Sequence, residues 1–245
     1  MSEGQSSFLV QLWDNAPAGG SASGRYTLLA AGFADARWSL HKAPLLDWKN
    51  EHAIYRTRSE ATMERMNWAH GILEPAPEIR EMVKTLGQLE GIFQNASAWS
   101  AMDPGIVVYR VQAWYPVVEG TEGGLFWGTT LVEPGQIDCE YFMTHGHFHA
   151  KRDRTEYYAT IEGEGALILM DESRKTWTEP MTPGSVHFIP PRIAHRVANC
   201  GSIPLRFVAC WPSDAGHDYE DIRKSGFDAR LLNVNGEPKF VRSRT

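Results

Sequence analysis

Two histidines, His147 and His149, are separated by a single residue and are followed by a carboxylate, Glu156. These residue types suit a metal site. On a β-strand the side chains at positions i and i+2 point to the same face, so an extended His-x-His pair presents two imidazoles together. A short turn after His149 can present Glu156 from the neighbouring strand. A further imidazole, His195, follows a Pro-Pro turn later in the chain. Three imidazoles and one carboxylate suit Fe, Mn, Ni, Co or Zn better than Ca or Mg.

The composition limits the classes of function. The chain has 245 residues and a formal net charge of −6, which argues against nucleic acid as a partner. It contains no apolar run long enough for a transmembrane helix, and its first residues do not resemble a secretory signal. Cys139, Cys200 and Cys210 show no paired spacing and are interpreted as reduced thiols. We therefore expect a cytoplasmic protein without a membrane partner.

The chain divides by pattern into residues 1–75, an expected N-terminal extension that packs on the rest, and residues 76–245, an expected catalytic domain. Helices are predicted over residues 59–70 and, from apolar residues at helical spacing, over residues 78–94. Short strands between turn signals then predict a mainly β sandwich or small barrel. These strands are expected at residues 106–115, 125–132, 140–144, 156–161, 165–170, 176–178, 185–189, 193–198 and 205–211.

The spacing of the candidate ligands resembles the two halves of the cupin double motif. The first half occupies residues 147–163 and the second occupies residues 184–199. Two positions depart from that motif. The gap between His149 and Glu156 is longer than usual, which lengthens a hairpin. Arg192 stands where the motif usually has Gly, so a turn must form without the positive-φ freedom of Gly.

Three separated segments, residues 144–156, 189–201 and 214–219, resemble the cupin-type glucose-6-phosphate isomerases of archaea and some bacteria. The resemblance covers about residues 78–235. It implies a cupin fold, which is a double-stranded β-helix or jelly-roll barrel, here with an N-terminal extension and a few helices. It also implies a metal-dependent aldose–ketose isomerase that interconverts glucose 6-phosphate and fructose 6-phosphate.

Roles for individual residues follow from the same resemblance. It implies one divalent transition metal per chain, with iron preferred and Mn, Ni, Co or Zn as alternatives, bound by His147, His149, Glu156 and His195. It places Tyr158 and His217 near the sugar. The chemistry of isomerisation makes Glu156 the candidate base and makes Tyr158 and His217 candidate proton relays, so these three are the candidate catalytic residues. The implied substrate-binding residues are Thr130, Thr144, Gly146, Tyr158 and Trp211. Relatives often carry Lys at the position of His145 and Tyr at the position of Trp211, and Trp211 offers only an indole N–H donor.

Two other functions use the same ligand set. A cupin dioxygenase could hold iron and activate O₂, and a non-catalytic cupin could bind sugar without turnover. The segment 214–219 favours the isomerase. Within the isomerase, proton abstraction by Glu156 and direct hydride transfer both remain open. A homodimer is expected, because strand-rich cupins commonly pair through sheet edges.

Overall fold

The computed structural model describes residues 64–242 and, in the N-terminal part, the backbone of three strands. The chain divides into two compact units, Met1–Ala61 and Thr62–Thr245. In the first unit, β1 (Ser7–Gln11), β2 (Leu28–Ala34) and β3 (Arg37–Lys42) form an antiparallel sheet in the order β1-β2-β3. The expectation that residues 1–75 pack on the rest of the chain stays a prediction for residues 1–63.

The second unit is built almost entirely of strands. After β4 and β5 come β6, a 3₁₀ helix, helix α1 and strands β7 to β16, and helix α2 precedes the last two strands. The bounds are β4 Met66–Asn67, β5 Ile72–Leu73, β6 Ile79–Thr85, 3₁₀ helix Leu86–Leu89, α1 Ala96–Ser100, β7 Val107–Trp114, β8 Leu125–Val132, β9 Gln136–Ile137, β10 Glu140–Tyr141, β11 Glu156–Glu162, β12 Gly165–Met170, β13 Thr176–Met181, β14 Val186–Ile189, β15 Ala194–Asn199, β16 Leu205–Pro212, α2 Glu220–Ser225, β17 Ala229–Val234 and β18 Glu237–Arg242.

Antiparallel sheets enclose the core of this unit. The largest has six strands in the order β14-β11-β16-β8-β7-β6, and a second has three in the order β13-β12-β15. Leu167, Ile168, Leu169 and Met170 of β12 are all almost fully buried. A four-stranded sheet, β18-β17-β10-β9, adds to the unit. The mainly β cupin architecture predicted from sequence is confirmed.

Residues 64–75, which the sequence pattern assigned to the extension, lie in the second unit and pack on its large sheet. The Thr129 hydroxyl donates to the Gly71 carbonyl at 2.6 Å, and the Leu73 amide donates to Gln112 Oε1 at 3.0 Å. The short hairpin of β4 and β5 occupies residues 66–73, so the helix predicted over 59–70 is wrong for its described residues, 64–70.

The amphipathic helix predicted over residues 78–94 is also wrong. Ile79–Thr85 is the edge strand β6 of the large sheet, and only Leu86–Leu89 forms a short 3₁₀ helix. β6 pairs with β7 along its length, and that pairing overrides the helical spacing of the apolar residues.

Within the described residues, no helix is long and apolar enough to cross a membrane.

Candidate metal centre and active-site pocket

The four candidate ligands come together between the two main sheets. One possible ligand atom from each of His147, His149, Glu156 and His195 lies within 4.8 Å of the others. We call these four residues the ligand group. Glu156 begins β11 in the six-stranded sheet, whereas His195 lies on β15 in the three-stranded sheet. Glu156 Oε2 lies 3.2 Å from His149 Nε2 and 3.1 Å from His195 Nε2.

Backbone pairing and the second ring nitrogens fix the imidazoles in place. His147 forms an isolated bridge with His195, with N–O distances of 3.0 and 3.2 Å, although its segment is not a regular strand. His149 Nδ1 contacts the Arg154 carbonyl at 3.0 Å, and His195 Nδ1 contacts the Ile193 carbonyl at 3.3 Å. Such contacts orient a metal-binding imidazole, because they leave Nε2 directed into the group.

The donor atoms fit a transition metal. His147 Nε2 and His195 Nε2 are buried and, among the described residues, have no hydrogen-bond partner of good geometry. Buried polar atoms are normally satisfied, so two unsatisfied nitrogens in one group call for a common partner. A set of three imidazole nitrogens and one carboxylate oxygen is suited to a divalent transition metal.

The electrostatics of the group favour the metal-binding forms of His147 and Glu156. Burial and the neighbouring imidazoles lower the pKa of His147 well below its usual value, so the ring is neutral and its lone pair is available. Burial alone would raise the pKa of Glu156, but the close imidazoles of His149 and His195 outweigh it and lower that pKa. Glu156 is therefore an ionised carboxylate at neutral pH.

The ligand group lies at a pocket of about 500 Å³. Three members of the ligand group, His147, Glu156 and His195, line this pocket. So do all the other residues that the sequence predicted for substrate binding or catalysis, which are Thr130, Thr144, Gly146, Tyr158, Trp211 and His217. The ring of Trp211 contacts Phe126 edge to face and lies against Gly128, where an added Cβ would be 3.0 Å from Trp211 Cη2. Their roles in catalysis and binding stay predictions.

Tyr158 and His217 lie next to different members of the ligand group. The Tyr158 ring is 5.8 Å from the His195 ring, and burial raises its pKa well above the usual value, so its hydroxyl stays protonated. The His217 ring is 4.4 Å from the His147 ring. His217 also stacks on Tyr219, with ring centroids 5.5 Å apart and planes 5° from parallel. Tyr219 lines the pocket, and its place within the 214–219 segment was the one signal for it in the sequence.

Ion pairs hold the loop that carries His217 against the loop between His149 and Glu156. We call these segments the 214–219 loop and the 150–155 loop. Asp214 accepts from Lys151 Nζ at 2.8 Å and from two nitrogens of Arg154 at 2.7 and 2.9 Å. Asp218 accepts from Arg152 Nη2 at 2.6 Å. The longer gap noted in the sequence thus contains the three cations that fix the 214–219 loop.

The Gly and Arg positions singled out in the sequence have distinct backbone conformations. Gly146 has φ 78°, and an added Cβ would lie 2.9 Å from Arg196 Cβ and Nε, so only Gly fits. Arg192 adopts φ 65°, which confirms that this turn requires the left-handed region although it has no Gly.

His187 is not in the ligand group. Its ring contacts Glu179 at 2.8 Å and Ser185 at 2.9 Å.

Comparison with known proteins identifies relatives over most of the chain. A family model described as glucose-6-phosphate isomerase matches residues 83–245. The glucose-6-phosphate isomerase of Pyrococcus horikoshii is 39% identical over 181 residues, covering 72% of this chain and 92% of the relative. That of Pyrococcus furiosus is 40% identical over 182 residues, with the same coverage. Among solved structures, oxalate decarboxylase from Bacillus subtilis has a TM-score of 0.35 and 21% identity, covering 44% of this chain and 26% of that chain.

Proposed function

The chain belongs to the glucose-6-phosphate isomerase family, and we propose that it interconverts glucose 6-phosphate and fructose 6-phosphate as a metal-dependent aldose–ketose isomerase. The observation that carries this proposal is the ligand group in the wall of a pocket that also contains Tyr158 and His217. Isomerisation moves hydrogen between C1 and C2 of the open-chain sugar. The site must therefore hold two neighbouring oxygens and move a proton between them.

The ligand group would hold one divalent transition metal, with iron as the preferred ion and Mn, Ni, Co or Zn as alternatives. Such a metal polarises the oxygens of a bound sugar and stabilises negative charge that develops on them. His147, His149 and His195 would supply imidazole nitrogen donors for this purpose. Glu156 supplies the anionic donor through the oxygen that faces the imidazoles, Oε2.

Glu156 is also the candidate general base. Its Oε2 contacts two histidines, which leaves Oε1 to accept a proton from the sugar carbon and return it to the neighbouring carbon. The Tyr158 hydroxyl and the His217 imidazole can donate or accept protons at the sugar oxygens. Direct hydride transfer between the two carbons is the alternative route, in which Glu156 only binds the metal.

Substrate recognition is proposed for the part of the pocket wall formed by Thr130, Thr144, Gly146 and Trp211. The two threonine hydroxyls and the Gly146 backbone would form hydrogen bonds with a phosphorylated hexose. Trp211 lines the same pocket and contributes only its indole N–H as a donor. Relatives often carry Tyr at the position of Trp211, and Trp has no hydroxyl. The pocket wall must therefore bind the phosphate with other groups.

The wider setting of the enzyme is proposed on more general grounds. Cys139, Cys200 and Cys210 are unpaired, which suits the reducing cytoplasm, where sugar phosphates enter glycolysis and gluconeogenesis. We also propose a homodimer. The supporting observation is β6, an edge strand of the large sheet with Met82 and Val83 exposed at 46% and 39%.

A coupled assay of fructose 6-phosphate conversion, with oxygen consumption recorded in parallel, tests the function. We expect isomerisation that is lost with a chelator, restored by iron or another divalent transition metal, and accompanied by no oxygen uptake. His195→Ala should lose both metal and turnover, whereas His70→Ala, which changes an exposed histidine outside the ligand group, should retain both. Metal-dependent oxygen uptake would indicate a dioxygenase, and sugar binding without turnover would indicate a non-catalytic cupin.

A further inference from the structure

Arg196 is a buried cation that the proposed reaction does not use. It follows His195 on β15, so its side chain points to the opposite face of the strand, and it is only 4% exposed. Nη1 donates to Met143 Sδ at 3.2 Å, and Nη2 donates to the His145 carbonyl at 3.1 Å. The guanidinium carbon lies 4.1 Å from the centroid of the Phe227 ring. None of these groups carries a negative charge.

No carboxylate in residues 64–242 forms an ion pair with Arg196. Its Nε is buried and has no hydrogen-bond partner among those residues. The carboxylate that influences it, Glu140, is paired with Arg230 at 2.6 Å and also accepts from the Gln94 amide. The group of Arg196, Arg230 and Glu140 therefore keeps one uncompensated positive charge. A buried charge is costly unless an opposite charge comes close to it.

The uncompensated charge lies directly behind the pocket wall. Residues 144–146 line the pocket, and Gly146 is so close to Arg196 that a Cβ at this position would be 2.9 Å from Arg196 Nε. Lys84 and Arg223 line the same pocket. Their charges, like that of Arg196, act on the His145 imidazole, so these three cations lie on the 144–146 side of the pocket. This side of the pocket is consequently positive.

The pocket lining contains two carboxylates. Glu156 belongs to the ligand group, and the charge of Glu119 acts on Tyr115 and on His217. The 144–146 segment therefore faces the pocket with positive charges behind it and beside it. A ligand with an oxyanion would find its counter-charge there.

We infer that Arg196 is a positioning residue that fixes the 144–146 segment and supplies a buried counter-charge for the phosphate group that this segment is proposed to bind. Arg196 acts through the His145 and Gly146 backbone, because it lies behind the wall and does not line the pocket. The identification of the anion as the phosphate of a hexose rests on the proposed function. The inference also explains how phosphate can be held although Trp211 presents no hydroxyl.

Arg196 should differ from the surface cations in its response to salt. Charges in a buried environment are screened less than exposed ones. Lys84 is half-buried and Arg223 is exposed, with Arg223 also pairing with Glu220 at 3.5 Å. Their contribution to phosphate binding should fall as ionic strength rises, whereas the contribution of Arg196 should persist.

The test compares Arg196→Met, which removes the charge at similar volume, with Arg196→Lys, which keeps it. Binding of inorganic phosphate is measured by calorimetry on metal-loaded protein, and binding of uncharged sorbitol serves as the control ligand. We expect Arg196→Met to weaken phosphate binding and to raise KM for fructose 6-phosphate by about tenfold, with a smaller change in kcat. Sorbitol binding should change little, and Arg196→Lys should recover part of the loss. Unchanged phosphate binding in Arg196→Met, or an equal loss for sorbitol, would overturn the inference.

A second variant keeps the test decisive if Arg196→Met does not fold. We expect the double variant Lys84→Met/Arg223→Met to bind phosphate more weakly than the native chain. Its phosphate binding should still be measurable at about 0.5 M salt, where exposed charges are largely screened. Complete loss of phosphate binding in this variant would show that the surface cations alone hold the anion. Because calorimetry needs no turnover, a protein that binds phosphate but does not isomerise would contradict the proposed function and not this subsite.

Discussion

Glu156 must satisfy two demands at the scale of a single residue, because it is both a candidate ligand and the candidate base. Glu156→Gln keeps the size of the side chain and one oxygen donor but removes its basicity. We expect the variant to retain metal and to lose about 10² to 10⁴ in kcat, the usual contribution of a general base. Elemental analysis and steady-state kinetics on the same preparation provide the measurement.

Glu119→Gln is the matched control for this substitution. Glu119 lines the same pocket but is not in the ligand group, so its neutralisation should leave kcat close to that of the native chain. If Glu156→Gln instead retains metal and near-normal kcat, proton abstraction by Glu156 is wrong. Hydride transfer would then be the better account of the reaction.

Arg192 shows a second effect at the scale of a single residue, which is backbone strain at a position with no proposed role in the reaction. Its φ of 65° is unfavourable for a residue with a Cβ, and its exposed ion pair with Glu172 at 3.2 Å contributes little. Arg192→Gly should raise the free energy of unfolding by up to about 1 kcal/mol, because relief of strain exceeds the added flexibility of the unfolded chain. Urea denaturation of metal-loaded protein measures the difference.

Arg174→Gly provides the contrast for this prediction. Arg174 has φ 71°, but its side chain also donates to Asp221 at 2.5 Å and to the Gly226 carbonyl. Loss of these contacts should outweigh the relief of strain, so this variant should be less stable than the native chain. A decrease in stability for Arg192→Gly as well would show that the strain at that turn is already offset.

At the scale of elements, the sequence predicted most of the barrel strands but not the segment before them. Leu125–Val132 and Gly165–Met170 agree with the predicted bounds at both ends, because β-rich runs there are flanked by clear turn residues. β6 was predicted as a helix. Its apolar residues also fit a helical spacing, and only pairing with β7 selects the strand.

The candidate site could be predicted to the extent that its residues share a local pattern. The His-x-His pair and Glu156 are close in sequence, and the imidazole of His195, after a Pro-Pro turn, completed the candidate set. Arg196, Lys84 and Arg223 were missed as functional residues, because their effect depends on packing between segments far apart in the chain. A single basic residue on a strand carries no signal that a pocket wall will lie in front of it.

Asp214 tests the connection between the 150–155 loop and the 214–219 loop. Asp214→Asn removes the charge that pairs with Lys151 and Arg154, so the loop that carries His217 should become less well positioned. We expect a lower melting temperature and a kcat reduced by roughly tenfold or more, since small displacements of catalytic groups are costly. Thermal unfolding and steady-state kinetics provide the two measurements.

Asp153→Asn is the control, because Asp153 also pairs with Arg154 at 3.0 Å but its side chain is 70% exposed. This variant should be close to the native chain in both measurements. The pairs with Arg154 and Lys151 lower the pKa of Asp214, so its stabilising contribution is complete above its ordinary value of 3.8 and is lost as pH falls through the lowered pKa. The stability gap between the native chain and Asp214→Asn should therefore narrow in acid, and a gap that is constant down to pH 2 would contradict the role of this ion pair.

At the scale of the whole molecule, the charge distribution constrains how an anionic substrate can bind. The chain has a net charge of −6, so its overall field does not attract a sugar phosphate. Recognition must come from local positive charge, and Arg196, Lys84 and Arg223 provide it on one side of the pocket. An acidic protein can thus bind an anion because the pocket concentrates a few cations where the ligand is bound.

The largest remaining question at this scale concerns residues 1–75, which include Trp13, Trp38, Trp48 and Trp68. So many aromatic side chains are typical of a segment that packs and not of a disordered tail. We expect trypsin to cut the native protein slowly at Arg25, Arg37 and Lys49, and quickly once urea has unfolded the chain. Mass spectrometry of a digestion time course, with metal content followed in parallel, measures both rates. Rapid removal of residues 1–63 from native protein, leaving a stable metal-binding core, would show that they do not pack on the rest of the chain.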